Sequence, residues 1–364
     1  MTQPADVSPL TTPLLGSRKP LAETYDVALL DLDGVCFAGD ARIEHAAEGV
    51  NGARARGMRL SFVTNNASRA PQAVVDKLAR NDIEGHPSEV FSAAMDGATI
   101  LAERVPAGSR VYVIGGAGLR EAVIDAGLSV VDSAEDHPVA VIQGWDPSVD
   151  WAMMSEGVYA INDGALFVAT NTDATLPTER GFALGNGSLV VAVAHASGVE
   201  PIAGGKPFPG IYERALARSG GSHPLAVGDR LNTDQVGARA AGIPGLHVLT
   251  GVSTARDVLT APVEERPSYL HTDLRGLIEA HPEPERVLCD QAIWWRVGRT
   301  RVRVDAGLLD WHGHGVLAQV PTEEPIEVSL DAYRGFACAV WEYADDHDGD
   351  TSRLTIPPLR VVAD

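Results

Sequence analysis

The residues best placed for chemistry are Asp31 and Asp33, in the run Asp31-Leu32-Asp33-Gly34 that follows the apolar stretch 27–30. Two carboxylates two residues apart, followed by glycine, make a tight turn that can hold a cation between a side chain and a backbone carbonyl. Taken alone, the run reads as a solvated acidic turn. Three later segments change that reading. Ser61-Phe62-Val63-Thr64-Asn65-Asn66 supplies a hydroxyl and amides, neutral donors suited to phosphate oxygens. Gly205-Lys206-Pro207 puts a lysine just before a helix, where ammonium and helix N-terminus act together on an anion. Gly228-Asp229-Arg230-Leu231-Asn232-Thr233-Asp234 adds two more acids. Each segment has a bland reading by itself (a polar turn, a surface lysine, an acidic helix start), but together and in this order they describe one phosphate-handling site.

Such residues need a frame, and the hydrophobic pattern predicts one. Apolar runs alternate with amphipathic stretches, as in a parallel sheet covered by helices. Strands are expected at 27–30, 58–63, 224–227 and 246–249, and helices at 43–56, 71–80, 209–218 and 233–241. Each chemical segment then leaves the C-terminal edge of a strand or opens a helix, where ligands bind in open α/β sheets. Between the halves lies a block of about a hundred residues with its own alternation. Strands are expected there at 110–114, 139–142 and 166–169, and helices at 151–161 and 188–196. The expected organisation is a tail at 1–22, a core from 23–92 and 201–281, a cap at 93–200, and a C-terminal module at 286–364 beyond the linker His281-Pro282-Glu283-Pro284-Glu285.

The order Asp-x-Asp-Gly, strand-Thr-Asn-Asn, Gly-Lys-Pro and Gly-Asp-x-x-x-Thr-Asp resembles the four motifs of the haloacid dehalogenase superfamily. Phe62-Val63-Thr64-Asn65-Asn66, Ala169-Thr170-Asn171-Thr172-Asp173 and Gly185-Asn186-Gly187-Ser188-Leu189 are similar to its NagD / p-nitrophenylphosphatase branch. That branch includes phosphatases of phosphoglycolate, glycerol 3-phosphate and pyridoxal phosphate. The resemblance covers residues 24–282. It implies an α/β fold: a Rossmann-like parallel-sheet core, an inserted α/β cap of the C2a type and, outside the resemblance, a small C-terminal α+β module. The layout resembles that of the actinobacterial glycerol 3-phosphate phosphatases, whose C-terminal piece is acetyltransferase-like.

What the resemblance implies is Mg²⁺-dependent hydrolysis of a small phosphomonoester through an aspartyl-phosphate. Asp31 would be the nucleophile and Asp33 the general acid and base. Mg²⁺ would sit on Asp31, the Asp33 carbonyl and Asp229, with Asp234 orienting the metal site or Lys206. Thr64, Asn65, Asn66 and Lys206 would bind the phosphoryl group. Leu176 in the cap is the candidate for substrate choice, an apolar residue that argues against a pyridine-ring substrate. Glycerol 3-phosphate is the favoured substrate, with 2-phosphoglycolate next. The contrasting reading is a regulatory or binding protein whose C-terminal module does the work on a phosphatase scaffold.

Composition agrees with a small-molecule enzyme. The 364 residues suit two or three domains, and the net charge of −20 disfavours nucleic acid and anionic membrane as partners. The partner expected is a small phosphorylated metabolite; a homodimer is compatible with the sequence. No apolar run approaches the ~20 residues of a membrane helix. Cys36, Cys289 and Cys338 are scattered, which predicts a reducing, cytoplasmic setting; Cys36 is expected to be a packed thiol. A chain this acidic must build a locally positive phosphate site, yet only three of its 29 basic residues are lysines: Lys19, Lys77 and Lys206.

Two features invite other readings. Gly115-Gly116-Ala117-Gly118 lacks the third glycine of a dinucleotide loop, so a close backbone approach is expected instead. In the C-terminal module, Trp311-His312-Gly313-His314-Gly315 carries Asp310 where an acetyl-CoA loop would want a donor for pyrophosphate. An acetyltransferase-like fold without a clear acetyl-CoA loop is expected there. The histidines read as a solvated turn, since no cysteine or further histidine is near in sequence. The tryptophans read as a small core.

Overall fold

A computed structural model describes residues 14–178, 180–317 and 324–363. The segments carrying the candidate residues hang on a six-stranded parallel sheet. Its strand order is Tyr269–His271, Gly245–Val248, Pro224–Gly228, Val27–Leu30, Arg59–Thr64, Val90–Ser92. Val27–Leu30 is buried along its whole length, as a central parallel strand covered on both faces must be. Ala28 and Leu30 enter one core with Phe62, Leu78 and Leu274; Val27 and Leu29 enter the opposite one with Ile211, Tyr212 and Ala226. From this strand the chain builds outward in one direction through residue 92. After the insertion it returns on the other side at Pro224–Gly228. The strand order therefore reverses between two neighbours, Val27–Leu30 and Pro224–Gly228, and the crevice at their C-terminal ends is where a ligand fits.

The inserted block forms a second parallel sheet, ordered Ile202–Ala203, Leu166–Ala169, Ala140–Gln143, Arg110–Ile114, Ser129–Val131. Helices Ala117–Asp125, Trp151–Asn162 and Asn186–Ser197 accompany it, and a hairpin of Thr175–Thr178 with Gly181–Leu184 projects from it. The Gly116–Gly118 turn is a close approach: a Cβ on Gly118 would stand 2.6 Å from the Ser68 carbonyl oxygen.

The C-terminal segment curls five antiparallel strands, from Glu285–Cys289 to Gly315–Val316, around the helix Leu330–Asp345. Ser329 caps that helix by accepting the Ala332 N–H. Tyr333, Phe336 and Val340 recur at helical spacing and are fully buried. Their core is shared: Leu231, Val258, Leu259 and Leu270 of the catalytic half belong to the same buried cluster as Phe336, Val340 and Trp341.

Three expectations need correction. Residues 1–13 of the expected tail lie outside the described residues. From Leu14 onward the chain is not loose, because Leu14 and Leu21 are buried and Ser17 exchanges backbone hydrogen bonds with His281. Leu14 and Leu21, with backbone hydrogen bonds from Leu15 and Ser17, dock the segment, while the Leu15 side chain stays exposed. The helix expected at 233–241 opens as a π-helical turn, Leu231–Gln235, and becomes α-helical only over Val236–Ala240. That wider turn carries Asp234 inward. The helix expected from residue 43 begins at Ala46, since His45 holds a left-handed backbone (φ 62°).

Candidate active site

Asp31 follows the buried strand directly, and its N–H is fixed by the Val227 carbonyl at 2.8 Å. Because Leu30 pairs with Val227, Asp229 emerges next to it although nearly two hundred residues separate them in sequence. Lys206 comes in from the loop before the helix Pro209–Ser219, and its Nζ donates to Asp31 Oδ1 (2.6 Å) and Asp234 Oδ1 (2.9 Å). Asp234 Oδ2 meanwhile accepts the Arg230 N–H. Both Asp234 oxygens are thus committed to holding Lys206 and the turn.

Asp229 is differently placed. Its Oδ2 accepts the Val252 N–H at 2.6 Å, and its backbone oxygen takes the Ser253 N–H and the His247 Nε2. Its Oδ1 is buried with no hydrogen-bond partner among the described residues. A buried carboxylate oxygen left unmatched is costly unless a cation meets it. Ligand atoms of Asp31, Asp229 and Asp234 lie within 4.8 Å of one another. Three carboxylates against one ammonium leave an excess of two negative charges, and the donors are all hard oxygens, which suits Mg²⁺. Burial, reinforced by the neighbouring carboxylates, pushes Asp31 up to about 8 and Asp229 up to about 6. Lys206 opposes this for Asp31 and is itself held well above its ordinary value by Asp234 and Asp31, against its own burial.

The cage around Asp229 is made of glycine. A Cβ on Gly251 would lie 1.9 Å from Asp229 Oδ2, and one on Gly34 2.5 Å from it. Thr250 closes the ring by donating to the Gly34 carbonyl at 2.6 Å. This 250–253 loop had no signature in the sequence, because it works through backbone N–H groups and absent side chains.

Asp33 points outward and is half exposed, with Lys77 Nζ 3.8 Å from its Oδ1. Lys77 is itself buried and lies over the Phe37 ring at 3.9 Å. Burial pulls its pKa down. Sequence reasoning had only counted it; its spacing in the helix Pro71–Arg80 is that of the buried face, with Val74 and Leu78. Cys36 is buried with Sγ 3.4 Å from the Asp31 carbonyl, and burial raises its pKa far above a reactive thiol's.

Thr64 Oγ1 accepts the Asn66 N–H, which leaves its own hydroxyl proton to donate. Asn65 is a clasp. Its Oδ1 accepts the Lys206 N–H (2.7 Å), and its Nδ2 donates to the Lys206 carbonyl and to Asp173 Oδ2 in the cap, both at 3.0 Å. Asn171 Nδ2 returns to the Asn65 carbonyl. Asn66 Oδ1 accepts from the Ser68 N–H and hydroxyl. The Asn65 side chain is therefore spent on holding Lys206 and joining the cap, and Asn66 Oδ1 on its own loop. Leu176 stands apart from this cluster, on the cap hairpin opposite Ala183.

Comparisons with known proteins identify the family. A family model described as haloacid dehalogenase-like hydrolase matches residues 28–129, and a second, HAD-hydrolase-like model matches 203–277. The chain is 38% identical over 347 residues to D-glycerol 3-phosphate phosphatase of Mycobacterium tuberculosis, covering 95% of this chain and 92% of that protein. It is 35% identical over 256 residues to an acid sugar phosphatase of Staphylococcus aureus, covering 70% and 97%. The crystal structure of the M. tuberculosis glycerol phosphate phosphatase in complex with magnesium superposes with a TM-score of 0.75 at 36% identity, covering 95% of both chains. With its four motifs gathered at one sheet edge and 95% of its length matched, the chain belongs to the haloacid dehalogenase-like hydrolases and is a phosphomonoester hydrolase of that family.

Proposed function

We propose that the protein hydrolyses glycerol 3-phosphate, with 2-phosphoglycolate the next candidate, through an aspartyl-phosphate on Asp31. The observation that carries the substrate is the extent of likeness. The glycerol 3-phosphate phosphatase matches through the C-terminal module, whereas the acid sugar phosphatase match covers 70% of the chain.

When bound, Mg²⁺ held by Asp31, Asp229 and the Asp33 carbonyl would offset the charge of the phosphate and of the acids around it. Asp31 attacks phosphorus, the bond to the ester oxygen breaks, and Asp33 gives that oxygen its proton. Asp33 then takes a proton from the water that attacks the acyl-phosphate, releasing inorganic phosphate and restoring Asp31. Lys206 keeps the Asp31 carboxylate aimed and, with the Thr64 hydroxyl, stabilises charge on the phosphoryl oxygens. Asp234 holds Lys206 in place. The Asn65–Asp173 bond ties the cap to the catalytic loop, and Leu176, three residues further along the cap, is the candidate for substrate choice.

The test is a panel of small phosphomonoesters scored by released phosphate with Mg²⁺ and with excess EDTA. Highest kcat/KM on glycerol 3-phosphate, abolished by EDTA, is expected. A clear preference for a sugar or pyridoxal phosphate overturns the substrate, and turnover in EDTA overturns the mechanism.

A further inference from the structure

The paired histidines of the C-terminal module have a neighbour in space that the sequence does not place near them. Cys289 ends the strand Glu285–Cys289, 23 positions before His312, yet its Sγ lies 3.9 Å from His312 Nε2. The turn between Cys289 and its partner Ala292 holds two residues, Asp290 (φ 50°) and Gln291 (φ 62°), both left-handed as a tight hairpin demands. That turn folds the Asp290 carboxylate back over the same point: Oδ2 lies 3.5 Å from Cys289 Sγ and 3.4 Å from His312 Nε2. We propose that Cys289, Asp290 and His312 form a second metal site, separate from the acidic one, for a borderline-soft divalent cation such as Zn²⁺.

Geometry and donor chemistry carry the argument. Tetrahedral Zn²⁺ with sulfur at about 2.3 Å and nitrogen and oxygen at about 2.0–2.1 Å requires donor-to-donor edges of about 3.3–3.6 Å. The three observed edges, 3.5, 3.4 and 3.9 Å, need adjustment of a few tenths of an ångström at most. Thiolate and imidazole select zinc over Mg²⁺, so the two sites divide the cations by softness. The surroundings are those of a supported site. Arg301 Nη1 donates to Cys289 Sγ at 2.8 Å and fixes the sulfur in place. Trp294 stands edge-on to His312 at 5.2 Å and donates its Nε1–H to the Cys289 carbonyl. His312 Nδ1 faces Arg301 Nη2 at 3.4 Å, longer than a good hydrogen bond. On metal binding the ring proton moves to Nδ1, this loose contact is released and the shorter bond to sulfur remains. The thiol proton of Cys289 leaves to solvent. The Asp290 side chain is 79% exposed, which provides an entry path and a fourth position for water. His314 is excluded as a ligand by its stacking on Trp311 at 4.0 Å.

The test is a Co²⁺ titration of the full-length protein, followed by the near-ultraviolet thiolate-to-cobalt charge-transfer band and reversed by Zn²⁺. The catalytic acids offer only oxygen and cannot give that band. One equivalent is expected in the parent and in C36S, and none in C289S or H312Q. Zn²⁺ should raise the Tm of the parent and not that of H312Q, a variant that keeps the cysteine and so guards against a folding defect in C289S. Absence of the band in the parent overturns the proposal, as does a band that survives C289S or H312Q, or one lost in C36S.

Discussion

Removing everything after Pro282 tests whether the C-terminal module is an appendage or part of the enzyme's body. The cut strips the cover from Leu231, Val258, Leu259 and Leu270, all buried against Phe336, Val340 and Trp341. At about 1.5–3 kcal/mol per aliphatic side chain returned to water, the loss is about 6–12 kcal/mol. That is comparable to the whole stability of an ordinary domain, about 5–15 kcal/mol. Two backbone carbonyls also lose their donors: Val258 O from Trp341 Nε1 (2.9 Å) and Leu270 O from Arg334 Nε (3.1 Å). Leu231 stands two residues after Asp229, so the damage reaches the catalytic loop. The truncated chain should aggregate or melt far below the full-length protein and lose Mg²⁺-dependent phosphate release. The measurements are thermal unfolding by circular dichroism and phosphate release on the same preparations. A soluble truncated protein with unchanged Tm and kcat would refute the shared-core reasoning and return the module to the status of an independent binding unit.

Other perturbations probe the site itself. Gly251→Ala puts a Cβ onto Asp229 Oδ2 and should raise the Mg²⁺ concentration for half-maximal activity about 10–100-fold, as disturbed support of metal ligands does; an unchanged Mg²⁺ requirement counts against the glycine cage. Lys77→Met should slow hydrolysis of alkyl phosphates more than that of p-nitrophenyl phosphate, whose leaving group needs no proton from Asp33; equal slowing would make Lys77 merely structural. Stability should also depend on pH in a metal-dependent way. Without metal, Asp31 (about 8) and Asp229 (about 6) bind protons in the fold that the unfolded chain has released, so their contribution is fully present below the unfolded carboxylate value of about 4 and is lost as pH rises from there through about 6 and about 8. His247, lowered to about 4 by burial, acts oppositely, and stability falls as pH drops from about 6.5 toward 4. The two acids outweigh the one histidine, so the melting temperature in EDTA should fall from about pH 4 to about 8, and Mg²⁺ should flatten that fall; a metal-independent profile would contradict it.

The parts legible in the sequence share a cause. Asp31 and Asp229 follow, and Thr64 ends, strands that are largely apolar because both faces are buried, so the motifs announced their own position. Lys206 was legible through Pro207 and the helix after it. The rest works by means that leave no run of side chains. The 250–253 loop holds Asp229 with backbone N–H groups, and Gly251 contributes by lacking an atom. Asn65 has the residue type of a phosphate donor, but its hydrogen bonds go to Lys206 and Asp173, partners more than a hundred residues away. Lys77 carries a charge on the buried face of an amphipathic helix, where a count of lysines gives it no role. Cys289 meets His312 only because the antiparallel sheet curls, which spacing alone could not reveal.

The central claim is that Asp31 carries the phosphoryl group, and it is tested most directly by trapping. Enzyme mixed with phosphate-labelled glycerol 3-phosphate and Mg²⁺, then quenched in acid within a single turnover, should yield a hydroxylamine-sensitive acyl-phosphate on the peptide containing Asp31, with none from Asp31→Asn. Label on another residue, or steady turnover by Asp31→Asn near the parent rate, would contradict the account.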